Sequence, residues 1–325
     1  MASTIVHSAA LGKHALALLL LAACERPPAA PDGPPPPAAQ GRRFDGARAL
    51  DRVAELLALP RALGDPARTR SITRLDELLR AAGAARVDRL EHEGADPQTG
   101  TTYKMTTLIG AVRPDAPRQF VLASHFDVRP WAESDPDPAL RDRPIPGAND
   151  GTSGVAVLLE LAPLLLEQLP ADVGFSLILF DGEELGRPGV GPYCAGSHAL
   201  ADALRAGRFP VVRAARFGVV LDMVGDRDLR LLTEPHSLRS VPDLVRRIWS
   251  TGHAAGFPQF VDARAPEPLV DDHVPLTEAG IPSLLLIDYT YPPWHTHADT
   301  LDKLTADSLG AVGETLRLAL PGEWP

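Results

Sequence analysis

Apolar residues in this chain fall into two rhythms. Short unbroken runs occur at Phe120-Val-Leu-Ala-Ser-His-Phe-Asp127, Gly174-Phe-Ser-Leu-Ile-Leu-Phe180, Ala215-Arg-Phe-Gly-Val-Val-Leu-Asp222 and Ile281-Pro-Ser-Leu-Leu-Leu-Ile287. They are too brief for helices and rich in strand formers, which predicts strands of a parallel sheet buried on both faces. Between them, helical spacing or near-continuous apolarity predicts helices over 47–57, from Asp65-Pro66 to Gly83, over 155–166, 196–206, 241–255 and 306–318. Segments 86–90 and 101–112 read as an antiparallel pair at the sheet edge, and 229–233 as a short strand. The alternation of strand and helix without an internal repeat predicts one α/β domain: a doubly wound, mostly parallel mixed sheet flanked by helices.

The N-terminus stands apart. Lys13 and His14 precede the run Ala15-Leu-Ala-Leu-Leu-Leu-Leu-Ala-Ala23, too short to span a bilayer. Leu21-Ala-Ala-Cys24 resembles a bacterial lipobox, so residues 1–24 read as a lipoprotein signal peptide whose cysteine carries the lipid. That places the protein in a bacterial envelope, facing the periplasm or exterior, with a plain signal peptide as the alternative. Residues 25–43, with Pro34-Pro-Pro-Pro37, read as a semi-rigid tether, and the folded domain as 44–325. The formal net charge of -10 argues against a nucleic-acid partner. With Cys24 and Cys194 the only cysteines, there is no disulfide framework and no cysteine metal cluster. Cys194 reads as a buried thiol, and the chain as a monomer.

Candidate chemistry gathers where the strands end. In open α/β sheets the ligand crevice lies outside the carboxyl ends of the strands. There the chain places His125 and Asp127, the adjacent Glu183 and Glu184, Asp222, and Trp294-His295. A long loop rich in proline and charge delivers Gly147-Ala-Asn-Asp-Gly-Thr-Ser-Gly154, and Asp271-Asp272-His273 precedes the last strand. Aspartate, glutamate and histidine with an open position form a catalytic zinc site, whereas a structural one favours cysteines.

In this order, His125-Phe-Asp127, Gly147-Ala-Asn-Asp150, Asp181-Gly-Glu-Glu184, Leu221-Asp222, Asp272-His273-Val-Pro275 and His295-Thr-His-Ala-Asp-Thr300 resemble the zinc aminopeptidase superfamily over nearly the whole chain past the tether. Within it, Phe180-Asp-Gly-Glu-Glu184, Val270-Asp-Asp-His-Val-Pro275 and Trp294-His-Thr296 are most similar to animal-type glutaminyl cyclases. The resemblance implies one zinc held by Asp150, Glu184 and His295, with Glu183 as proton shuttle. Asp222 and Asp271 would join a hydrogen-bonded carboxylate set, and Trp294 would wall the pocket. The substrate would be the N-terminal glutamine of peptides or proteins, closed to pyroglutamate with loss of ammonia.

The loop 147–154 is closer to the peptidase version. A dizinc aminopeptidase is therefore the alternative: His125 and Asp222 would take a second zinc, Asp150 would bridge, Glu183 would activate water and Asp127 would orient His125. A catalytically dead binding module is a third reading, opposed by the intact set of acids. The superfamily implies a cis peptide at Asp150-Gly151. The tryptophan that some cyclases carry after Glu184 is absent, with Trp131 as candidate substitute. Asp299 reads as a turn cap before the last helix, His198 as capping or packing its helix, and His297 as an outer-shell or surface residue. His273 reads as a structural or outer-shell partner, while Arg129, Asp226 and the charges of 132–143 read as solvated.

Overall fold

The computed structural model describes residues 41–187, 189–191 and 193–322. The segment read from the sequence as a signal peptide, with Cys24, and the part of the expected tether before residue 41 lie outside the described residues.

Helix α1 (Gly46–Leu57) starts where the Asp45 side chain accepts hydrogen bonds from the Ala47 and Arg48 amides. Helix α2 (Arg68–Ala81) begins later than expected, because Asp65 caps a preceding turn through the Ala67 amide. Strands β1 (Arg86–Ala95) and β2 (Thr102–Val112) form the expected antiparallel edge pair. There follow β3 (Arg118–His125), α3 (Thr152–Gln168), β4 (Val173–Phe180), α4 (Ala195–Arg205), α5 (Pro210–Arg213) and β5 (Ala215–Asp222). The chain continues with β6 (Leu231–Thr233), α6 (Pro235–Ser240), α7 (Pro242–Ala254), β7 (Phe260–Arg264), α8 (His273–Glu278), β8 (Ser283–Ile287) and α9 (Ala306–Ala319). Pro235 and Pro242 each open a helix, a position where the missing N–H costs nothing.

The main sheet has the order β1-β2-β4-β3-β5-β8. Strands β4, β3, β5 and β8 run parallel to one another, while β2 joins β4 antiparallel. The sheet is thus mixed and mostly parallel, as the apolar runs predict. Strand alternation explains why those runs are unbroken: Phe120, Leu122, Phe175, Leu177, Phe217 and Val219 face one core, Val121, Ala123, Ile178 and Val220 the other. Helices α1, α3, α7 and α9 cover the first face and α4, α5 and α8 the second. Phe120 stacks at 5.2 Å on Phe175 and 5.3 Å on Phe217, joining three neighbouring strands. A small parallel pair, β6 with β7, lies outside this sheet, and β7 carried no readable sequence signal.

The expected start of the domain near Phe44 is anchored by α9. Glu314 accepts a hydrogen bond from the Phe44 amide at 2.9 Å and two from Arg317 at 2.6 and 2.8 Å. Burial pushes the Glu314 carboxyl up, but the Arg317 guanidinium and the Phe44 amide outweigh it, and the net direction is below the ordinary 4.5. A group depressed on folding contributes stability that is present above its unfolded value and lost as pH falls below it. Glu314→Gln is therefore expected to shrink the drop in urea midpoint between pH 7 and pH 3, and an unchanged drop would remove this residue from acid unfolding.

Candidate metal centre

The parallel strands deliver their carboxyl ends to one edge. Strand β3 ends at His125, β5 at Asp222, and β4 runs into Asp181-Gly-Glu-Glu184. Asp150 arrives just before α3, whose first turn is tied to the end of β5: Ser153 Oγ accepts from the Val224 amide at 3.0 Å and Asn149 Oδ1 from the Gly225 amide at 2.7 Å. Gly151 has φ +74°, and a Cβ there would lie 2.5 Å from the His125 ring, so glycine alone lets Asp150 approach that imidazole. None of the described peptide bonds is cis, which corrects the expectation at Asp150-Gly151; the left-handed glycine makes the turn.

Five side chains named from the sequence converge. His125 Nε2 lies 3.2 Å from Asp150 Oδ1 and 3.3 Å from Asp222 Oδ1. His295 Nε2 lies 3.5 Å from Glu184 Oε2 and 3.9 Å from Asp150 Oδ2. Each oxygen of Asp150 thus faces a different imidazole. Donor atoms of His125, Asp150 and Glu184 all lie within 4.8 Å of one another. A tetrahedral ion with bonds of about 2.0–2.1 Å spaces its donors roughly 3.3 Å apart, so these separations fit. Asp150 Oδ2 is buried without a hydrogen-bond partner, as a ligand oxygen would be.

The acids differ in access. Asp150, Glu184, Asp222, Asp271 and Asp272 are buried, whereas Glu183 is partly exposed. Asp127 braces the carboxylate turn by accepting from the Glu183 amide at 3.3 Å and the Glu184 amide at 3.1 Å, and its Oδ1 lies 3.5 Å from His125 Nδ1. Cys194 is buried as expected, and its Sγ donates to Glu183 Oε1 at 3.3 Å. Trp294 is 42% exposed, its ring stacked on His295 with centroids 3.6 Å apart.

Crowded charge sets the protonation. Burial first, then the Glu184 carboxylate, push Glu183 well up, with Asp271 and Asp272 adding to it. Burial and neighbouring carboxylates push Asp271 up to about 8 and Asp272 to about 7, so both are largely protonated or close to it near neutral pH. Glu184 goes the other way: burial opposes its charge, but His295 and Arg129 outweigh it and hold the carboxyl well below the usual range.

The loop 128–146 supplies partners that sequence reasoning missed. Arg129, Glu133 and Asp135 are not solvated as expected, whereas Asp137, Arg141, Asp142 and Arg143 are exposed. The Arg129 side chain is fully buried and donates to Glu184 Oε2 at 2.8 Å and to both oxygens of Glu133 at 2.6 and 2.7 Å. Glu133 Oε1 lies 2.7 Å from His295 Nδ1, on the side of the ring away from Nε2. Asp135 accepts from the His297 amide at 2.8 Å, so His297 helps pin the strap that carries His295. Asp299 is no helix cap: it is fully buried and accepts from the Asn149 amide at 2.8 Å, the Asp150 amide at 3.1 Å and Tyr291 Oη at 2.7 Å. Asp226 is buried too, and burial raises its carboxyl. Trp131 is buried beneath Arg187, 3.5 Å from its ring centroid, and packs with Leu63, Met105 and Leu185, so it is not a substrate wall. His198 is exposed on α4. The only signal for the loop partners was a long charged loop kept between two site segments. A cavity of about 300 Å³ at Arg42, Arg43, Arg48 and Glu160 shares no residue with this centre, and its arginines are paired with Glu167, Glu314 and Glu160.

The model of peptidase family M28 matches residues 107–320. A glutaminyl-peptide cyclotransferase of Gloydius blomhoffii is 28% identical over 248 residues, 66% of this chain and 66% of that protein, so the chain spans about two thirds of this curated relative. The crystal structure of Fimbriiglobus ruber glutaminyl cyclase aligns with a TM-score of 0.79 at 32% identity, covering 88% of this chain and 98% of that one. A Zn-dependent exopeptidase from Parabacteroides distasonis aligns with a TM-score of 0.76 at 29% identity, covering 85% and 97%.

Carboxylates that hold the far nitrogen of a ligating histidine typically contribute about 10- to 100-fold in metal affinity. Glu133→Ala is expected to weaken zinc binding by a factor in that range in a chelator competition. Wild-type affinity would remove Glu133 from that role.

Proposed function

The chain belongs to peptidase family M28, and on that premise we propose that it is a zinc-dependent glutaminyl-peptide cyclotransferase, closing the N-terminal glutamine of peptides and proteins to pyroglutamate and releasing ammonia. The observation that carries this reading is the placement of Glu183: it is partly open to solvent next to the buried Glu184, with its amide held by Asp127 and its Oε1 by Cys194. The 32% identity to a glutaminyl cyclase over 98% of that chain supports the same reading.

Asp150, Glu184 and His295 would hold the ion. Bound there, zinc would supply Lewis acidity toward the γ-carbonyl of the glutamine. Glu183 takes a proton from the α-amine as that nitrogen attacks the side-chain amide, and returns it to the departing ammonia. Because the nucleophile belongs to the substrate, no activated water is needed and the ring closes with little loss of freedom. Asp271, largely protonated near neutral pH, and Asp222 face this region as hydrogen-bonding groups. Trp294 offers an exposed aromatic face beside His295 on which the substrate chain packs. The proposed acting unit is a monomer, lipid-anchored through Cys24 in a bacterial envelope; the support for the anchor is the Leu21-Ala-Ala-Cys24 motif alone. Fatty-acid labelling that survives in Cys24→Ser would remove the anchor, and a dimer in sedimentation would remove the monomer.

A dizinc aminopeptidase is the alternative, favoured by the His125 contacts to Asp150 and Asp222 and by the Zn-dependent exopeptidase among its structural relatives. Full-length protein with zinc, given equal-length peptides beginning with glutamine or leucine, separates the two. Loss of one ammonia from the glutamine peptide alone supports the cyclase; release of leucine supports the peptidase; silence on both supports a binding module. Glu183→Gln is expected to keep zinc and lose about 10²–10⁴ in rate, whereas His295→Ala loses the metal. A fully active Glu183→Gln enzyme would sink the mechanism.

A further inference from the structure

Glu234 belongs to no motif of the centre, yet it is 1% exposed and both its oxygens are engaged. Oε1 accepts from the His236 amide at 2.7 Å and the Leu269 amide at 3.2 Å. Oε2 accepts from the Ser237 amide at 2.6 Å and Ser237 Oγ at 2.9 Å, and lies 3.3 Å from His273 Nε2. Leu269 and His273 bracket Val270-Asp271-Asp272. One carboxylate therefore bonds the Leu269 amide at one end of the segment that carries the two aspartates and abuts the His273 ring at the other.

That segment needs holding. It is irregular up to Asp272, and Val270, at 68% exposure, contributes almost no packing. Asp271 and Asp272 are adjacent buried acids: burial raises the proton affinity of both, with Asp272 adding to the rise at Asp271, and such a pair is driven toward water unless its backbone is fixed. The grip is referred to the sheet: Ser237 Oγ also accepts from the Leu285 amide of β8 at 3.0 Å. Burial opposes the Glu234 charge, but His273 and the His236 and Ser237 amides hold its carboxyl down at about 2, so it stays an acceptor throughout the working range.

We propose that Glu234 is a positioning residue for the reaction, holding the 269–273 segment against the sheet edge so that Asp271 and Asp272 stay beside Glu183. Glu234 touches neither substrate nor metal in this arrangement; it acts through the backbone of Leu269 and the ring of His273. The inference rests on the role proposed for Asp271 in cyclisation.

Small displacements of reacting groups caused far from the chemistry cost up to about a hundredfold in rate. In full-length protein loaded with zinc, Glu234→Gln is expected to lower kcat on a glutamine-initiated peptide about ten- to hundredfold. Its KM, zinc content and far-ultraviolet spectrum stay as in the wild type, a split that a general packing defect does not produce. Glu234→Ala is expected to fall further; where it also loses zinc or fold, Glu234→Gln decides. Asp271→Asn is measured in parallel. An inactive Asp271→Asn beside a Glu234→Gln enzyme with wild-type kcat overturns the positioning role alone, whereas a fully active Asp271→Asn shows that the reading it rests on has failed.

Discussion

Buried negative charge at one edge of the sheet is the constraint to which the rest of the structure answers. Asp127, Asp150, Asp181, Glu184, Asp222, Asp271, Asp272 and Asp299 are each less than a tenth exposed. Leaving one such ion unpaired costs several kcal/mol even after relaxation. The fold meets this in four ways: Arg68 pairs with Asp181 and Arg129 with Glu184; main-chain amides serve Asp127 and Asp299; protons neutralise much of Asp271 and Asp272; imidazoles face Asp150 and Asp222. Asp150 Oδ2, like both oxygens of Asp272, is buried without a hydrogen bond; it is turned toward His295, and a divalent cation is the partner that its surroundings suit.

The hierarchy of support around that oxygen explains why the chemistry can be local. Asp299 fixes the amides of Asn149 and Asp150, Asp127 fixes those of Glu183 and Glu184, and Glu133 fixes the His295 ring. These contacts join the loops of the centre to one another and to the end of β4, so Glu183 itself holds none of the other side chains in place. Glu183 is left as the partly exposed member of the cluster, gripped at its amide and at Oε1.

Structures similar to this chain include both a glutaminyl cyclase and a Zn-dependent exopeptidase. An amine that attacks its own side-chain amide needs a proton carrier and a polarised carbonyl; a water that attacks a peptide needs those and its own activation. His125 faces Asp222 at 3.3 Å, and Trp294 lies stacked on His295.

The sequence by itself determined the parallel core, the edge pair, the strand-end placement of His125, Glu183, Glu184 and Asp222, and the loops bearing Asp150 and His295. Those are local facts: runs of strand formers, breaks, and acids at fixed offsets from them. Arg129 on Glu184, Glu133 on His295, Asp299 under Asp150 and Glu234 on Leu269 were decided only by the tertiary structure. Each joins segments 35 to 162 residues apart, and a charged side chain in a loop reads the same whether it meets water or a buried partner. Trp131 shows the converse, an aromatic next to the site in sequence that the fold buries beneath Arg187. Local pattern fixes where a residue sits along its element, while burial and pairing are properties of what packs against it.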